Sequence, residues 1–366
     1  MIIQDWLITL SAKCTQSKYW MLWSALLLSC VALFFAFPSY GSLNPDDWAE
    51  LFSKAAQPLV NSNAGDGSHD AKLSFRLLVP MLVRLLHLGI GGVLVIAALA
   101  GIANFYLVIA ISHKVLQNRQ QAFFVGLCTA FIYVGKCAFT ELRGTIFDSI
   151  AIFFLLAALY ANNVLIRWLL LLAGAWCDER ALIASSLVWV YFFVKNNQRG
   201  IKGFFIIDAM GIYAAWVCYF AMRWWLTTTY GLKTDTDGTG IGVLLNQINN
   251  IPIGTWSALE GLWLLVFAAM LLLYKQKQLM QLALLIAASG IVLLAGLSVL
   301  DITRSVAYVL PAIFICLLIM SRYYSKANID RILWFALLLC FAYPAYYTGG
   351  KSSIWWTYPL PLQLLR

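Results

Sequence analysis

Eleven apolar runs occupy most of this 366-residue chain: Tyr19 to Phe37, Gly89 to Ile111, Ala122 to Phe139, Thr145 to Tyr160, Val164 to Cys177, Ala181 to Val194, Phe204 to Trp225, Ala258 to Tyr274, Leu279 to Leu300, Ser305 to Met320 and Ile332 to Tyr347. A helix crosses the hydrocarbon core of a bilayer with about 20 apolar residues, fewer where it is broken or buried in protein. Backbone in lipid must satisfy its own hydrogen bonds, so such runs fold as helices. The predicted fold is all-α: a polytopic transmembrane helical bundle of about eleven spans, a single domain over residues 1–366 with no separate soluble domain. The fifth and sixth runs are short and are joined by Asp178-Glu179-Arg180. They form either two spans or a re-entrant hairpin, and both return the chain to the same side. Only 11% of residues are charged and 62% are hydrophobic, against roughly 25% charged in soluble domains. This excludes an ordinary soluble enzyme and a disordered chain.

The formal charge of +9 has to be read loop by loop, because Lys and Arg in short loops mark the cytoplasmic side. With the N-terminus inside, the inner segments carry Lys13, Lys18, Lys114, Arg119, Arg167, Lys195, Arg199, Lys202, Lys275, Lys277, Arg322, Lys326 and Arg331. Of the sixteen acids only Asp5, Asp208 and Asp330 fall on that side, which assigns the rest to the outer face. The expected orientation is N-terminus in and C-terminus out, in a cytoplasmic (inner) membrane. Asp5 and Lys13 ahead of the first run, with no small-residue cleavage site behind it, read as a retained span and not as a signal peptide. The eight cysteines show no CxxC or Cys/His spacing and are expected as apolar packing residues.

Two external segments are long, residues 38–75 and 226–257. In the first, Trp48, Leu51, Phe52, Ala55 and Ala56 recur at helical spacing behind Asn44-Pro45, predicting a short helix on the membrane surface. In the second, Thr239-Gly240-Ile241-Gly242 belongs to a polar, Gly-rich stretch expected to be flexible.

Ionisable residues at membrane depth cost roughly 2.5 to 3.5 kcal/mol each on insertion scales, so their clustering points to function. They cluster at the outer ends of the runs: Asp46 and Asp47; Asp70, Lys72 and Arg76; Glu141, Arg143 and Asp148; Asp178, Glu179 and Arg180; Asp301 and Arg304. Apart from Asp208, the expectation is of charges at this one end only, with no repeat symmetry. Arginine forks match phosphate oxygens, and a carboxylate can take a proton from an attacking hydroxyl. Together these suit transfer chemistry on a lipid-linked phosphate. His69, His87 and His113 are scattered and read as structural.

Asp46-Asp47 after the first span, the amphipathic helix that follows, Phe75-Arg76-Leu77-Leu78-Val79-Pro80, Asp178-Glu179-Arg180 between short helices, and Asp301-Ile302-Thr303-Arg304 ahead of Pro311 together resemble the GT-C superfamily of multi-spanning glycosyltransferases. The resemblance implies transfer of a sugar from a polyprenyl-phosphate lipid to a glycan, lipid or protein acceptor at the outer face, as in polysaccharide biosynthesis at the cell envelope. It implies Asp47 or Asp46 as catalytic base, with Asp66 and Asp70 as rival acids. Arg76, Arg143, Asp148, Glu179, Arg180, Asp301 and Arg304 would bind substrate and phosphate. No cofactor is specified, and a divalent metal stays open. The alternatives are a polysaccharide polymerase or ligase using lipid-diphosphate donors, and a transporter or flippase of lipid-linked glycans. Nucleic acid is not an expected partner.

Overall fold

A computed structural model describes residues 15–38, 43, 45–60, 73–144, 146–198, 200–234, 239–342, 346–349, 352–355 and 358–365. Asn44, Asp66, His69, Asp70 and Lys72 lie outside them. The helices are α1 (Trp20–Phe35), α2 (Pro45–Ala56), α3 (Leu78–Leu86), α4 (Ile90–Leu116), α5 (Arg119–Phe131), α6 (Tyr133–Thr140), α7 (Asp148–Tyr160), α8 (Val164–Cys177) and α9 (Glu179–Lys195). They continue as α10 (Ile207–Tyr230), α11 (Ile241–Asn246), α12 (Ile251–Leu259), α13 (Trp263–Lys275), α14 (Leu279–Leu297), α15 (Ile302–Val306), α16 (Pro311–Tyr323), α17 (Lys326–Ala342) and α18 (Leu360–Leu364). Among the described residues four helical runs are long and apolar enough to cross a membrane: Ile90–Leu116, Ile248–Lys275, Leu279–Leu297 and Ile302–Tyr323. The bent pair α5–α6 makes a fifth, and α1, α7 and α8 are shorter apolar helices.

Helix starts follow local chemistry. Asn118 accepts from the amides of Gln120 and Gln121, Asn163 from Leu165 and Ile166, and Asp178 from Arg180. Each satisfies amides that a helix's first turn leaves open. At the centre is α16, in contact with α4, α9 and α13; its side chains from Pro311 to Leu317 are all buried. The perimeter shows Trp224, Val217, Phe335, Phe341 and Leu294, all more than half exposed. That is the distribution expected where lipid is the outer solvent.

The connections sort into two sets. On one side, Arg119 donates to the Thr15 carbonyl, Lys114 to Asn162, Gln121 to Asp330, Arg322 to the Val194 carbonyl and Gln281 to the Gln198 carbonyl. The fully buried Arg167 lies there too, 3.2 Å from Asp208 and stacked on Phe192. On the other side, Trp48 donates to the Leu142 carbonyl, Arg180 reaches Ser305, Gln247 reaches the Leu297 carbonyl and Gln363 the Phe37 carbonyl.

Five expectations need correction. The run 122–139 is broken at Ile132 by a 56° bend; Gly135 is required beyond it, since a Cβ there would lie 2.2 Å from the Thr129 carbonyl oxygen. Residues 226–257 are not one loop, because α10 reaches Tyr230 and α11 and α12 follow. The run beginning at Ala258 starts earlier, at Ile248, and breaks at Glu260–Leu262. The last run ends at Ala342, and Tyr347 belongs to an antiparallel hairpin, β1 (Tyr346–Gly349) with β2 (Ser352–Trp355), so the described residues include a small sheet as well as helices. Finally, the predicted groups do not hold all the buried charges: Lys136 is 5% exposed and Glu260 is wholly buried.

Candidate functional site

Three remote segments bring arginines to two carboxylates. Asp178 ends α8 and caps α9, so its position is fixed by backbone as well as by side chain. Its Oδ1 accepts from the Arg180 amide at 2.9 Å and from Nε at 2.8 Å, while Oδ2 accepts from Nη2 at 2.7 Å. This is the fork-to-fork contact that favours arginine over lysine. Arg76 adds a second cation, with Nη2 3.3 Å from Asp178 Oδ2. Burial pushes the Asp178 carboxyl up, but the Arg180 and Arg76 guanidiniums outweigh it and hold the group below the usual carboxylate range.

Arg180 continues to Asp148, the first residue of α7, where an acid also meets the favourable end of the helix dipole. Asp148 is buried and accepts four hydrogen bonds: from Arg180 Nη2 at 2.7 Å, Tyr308 Oη at 2.9 Å, Tyr133 Oη at 2.8 Å and Arg304 Nε at 2.9 Å. Arg304 Nη1 reaches Asp301 at 3.1 Å. The result is a row of alternating sign, Arg76, Asp178, Arg180, Asp148, Arg304, Asp301. Opposite neighbours on both sides reduce the cost of desolvating each ion. Arg180 also stacks over Tyr308, 4.8 Å from the ring centre. The hairpin closes the far end: Gly349 bridges to Asp301, and the Thr348 amide donates to Thr303 Oγ1 at 3.0 Å.

The other expected site residues lie around this row. Asp47, in the first turn of α2, is 3.9 Å from Arg143, whose side chain is 65% exposed. The helix is held there by Trp48 on the Leu142 carbonyl and by Gly144, where a Cβ would lie 2.6 Å from the Asp47 carbonyl oxygen. Asp46 is exposed. Glu179 points away from Asp178 and pairs with Arg223, which also donates to Tyr219 and Thr234 and stacks 4.1 Å over the Phe75 ring. So the structure joins Arg76, Asp148, Arg180, Asp301 and Arg304 directly, places Asp47 and Arg143 as an adjoining pair, and puts Glu179 in a second pair beside Arg76.

Glu141 stands between these groups, just past α6 and half-buried. Burial pushes its carboxyl up to about 7, against the opposing pull of Arg304. A carboxyl in that range exchanges protons readily at neutral pH. Its sequence neighbourhood was visible, its burial was not. Tyr133, Tyr308, Ser305 and Arg223 were not expected from sequence. Each lies in an apolar run: the bend at Ile132 places Tyr133, the packing of α15 and α16 places Ser305 and Tyr308, and α10 brings Arg223 to Glu179. Among the described residues no group of three or more His, Cys, Asp or Glu side chains is placed to hold a metal ion. An apolar recess of about 480 Å³ lies between the end of α2 and α3, lined by Pro58, Leu59, Val60, Met81, Leu85 and the edge of Arg84. No family model matches the chain, and no curated protein or solved structure matches it either.

Proposed function

We propose that this chain is a membrane glycosyltransferase of GT-C type, moving a sugar from a polyprenyl-phosphate donor to an acceptor at the outer face of a cytoplasmic membrane. The observation that carries the reading is the meeting of Arg76, Arg180 and Arg304, from three remote segments, at one end of the helices. Such a cluster suits a phosphate, whose oxygens take charge-assisted bonds from several guanidiniums at once. Asp47 is the acceptor's base in this reading, and Glu141 is the second acid at hand. The recess beside α2 and α3 would take the first part of the prenyl chain. The sorting of connections into two sets supports eleven crossings, with the basic set inside.

The test is sugar transfer by protein reconstituted in vesicles with a labelled polyprenyl-phosphate sugar. Transfer by the native chain, lost on Arg304→Lys and on Asp47→Asn, is the expected result. Loss on Glu141→Gln with retention in Asp47→Asn moves the base to Glu141. A native protein that neither binds nor consumes the lipid overturns the reading. A second reading, a transporter of lipid-linked glycans, is favoured by the interior charges Lys136 and Glu260 and by two broken helices, features common where substrates cross a bilayer. Movement of the labelled lipid between leaflets without product would select it.

A further inference from the structure

Glu260 is an improbable residue at its position on physical grounds. It adopts φ 47° and ψ −123° at the break between α12 and α13, a region where glycine sits without strain and other residues pay on the order of 1 to 3 kcal/mol. It is fully buried, and both carboxylate oxygens lack a hydrogen-bond partner among the described residues. An uncompensated buried charge costs several kcal/mol more. Gly261 follows at once, packed so closely that a Cβ would lie 2.0 Å from the Ala336 carbonyl oxygen, so the break cannot relax toward α17. A bend alone would be met better by glycine at position 260.

What faces Glu260 narrows its role. Lys136, on the far side of the other helix break, is buried and acts on it electrostatically without forming an ion pair. Cys340 approaches from α17, with Cys128 of α5 behind it. On the side of α15 and β1, the ionisable groups Arg304, Asp301 and Tyr347 are engaged with one another in the row of alternating sign. A metal ion would need several oxygen ligands and would be repelled by Lys136. A proton needs no coordination shell.

We propose that Glu260 and Lys136 form a proton-exchange site inside the helical bundle, with Glu260 taking up and releasing the proton. Uptake converts the carboxylate to a carboxylic acid, with hydronium as donor and water as product. No other bond changes. The site is independent of the transferase reading, and holds equally if the chain moves lipids.

Infrared difference spectra of the purified full-length protein in lipid nanodiscs, titrated with pH, read the carboxylic acid carbonyl directly. The expected result is a band that appears reversibly on acidification, vanishes in Glu260→Gln, and persists at least about one pH unit higher in Lys136→Met, because loss of the neighbouring cation makes deprotonation harder. Should Glu260→Gln fail to fold, Glu260→Asp must shift the band's frequency. A spectrum with no band that responds to Glu260 substitution, or a band moved by sodium at constant pH, overturns the proposal.

Discussion

Asp148 gathers bonds from two arginines and two tyrosines, and that concentration makes it the residue whose loss is most damaging. Asp148→Asn would leave Arg180 and Arg304 short of a buried counter-charge, at a cost of about 3 to 5 kcal/mol. Tyr308→Phe removes one bond to a charged group, roughly 1.5 to 3 kcal/mol. Thermal unfolding in detergent should therefore rank native, Tyr308→Phe, Asp148→Asn, and an equal fall in both variants would mean that Arg180 and Arg304 find other partners. Glu141 gives a prediction of the opposite sign. Its carboxyl is raised from 4.5 to about 7 in the folded chain, so folding binds its proton more tightly. The group's favourable contribution is fully present below about pH 4.5 and is lost as pH rises through 7. Glu141→Gln should match the native melting temperature near pH 5 and exceed it at pH 8. A native protein that is the more stable at pH 8 would show that burial does not govern this carboxyl. At this scale the sequence was partly legible: arginines and acids within a few residues of each other marked the row of alternating sign. Tyr133 and Tyr308 were not legible, since an apolar run gives no sign of which tyrosine faces a carboxylate 15 or 160 residues away.

Elements carry their information in their interruptions. Apolar periodicity identifies a helix, and nothing in it marks Ile132 or Glu260 as a break, because neither is proline and the neighbouring glycines resemble those of an intact membrane helix. Their meaning comes from packing against other chain segments. Gly261→Ala should therefore be poorly tolerated, since the added methyl meets backbone and cannot be accommodated by a side-chain rotation; overpacking of this kind costs about 1 to 3 kcal/mol. Gly290→Ala, with nothing within 4 Å of the new methyl, should be neutral or stabilising by roughly 0.5 to 1 kcal/mol, as expected inside a helix. Parallel melting curves check the pair, and similar melting temperatures would mean that the break at Glu260 is loose. Helix α2, by contrast, was legible to within two residues of its start, because Trp48, Leu51, Phe52 and Ala55 recur at helical spacing.

Over the whole molecule, orientation is the expectation with the simplest check. In a variant lacking reactive native thiols, Lys233→Cys should react with an impermeant reagent in intact cells, and Gln276→Cys only after permeabilisation. Labelling of Gln276→Cys in intact cells would invert the bundle and turn the arginine row toward the cytoplasm. Which stretches fold as apolar helices could be read from the runs because such a pattern is local in sequence. The closing hairpin could not, because β1 and β2 gain their place from α15 and not from their own composition. That hairpin also has a consequence for how the protein is made. Asp148 and Arg304 are separated by 156 residues, and translation proceeds at about 5 to 20 residues per second. For on the order of ten seconds a nascent chain holds Asp148 without its second arginine, and still longer without β1 and β2. Any factor that shields half-finished polar surfaces during membrane insertion would have its window on this chain in that interval, before the last strand seals the row.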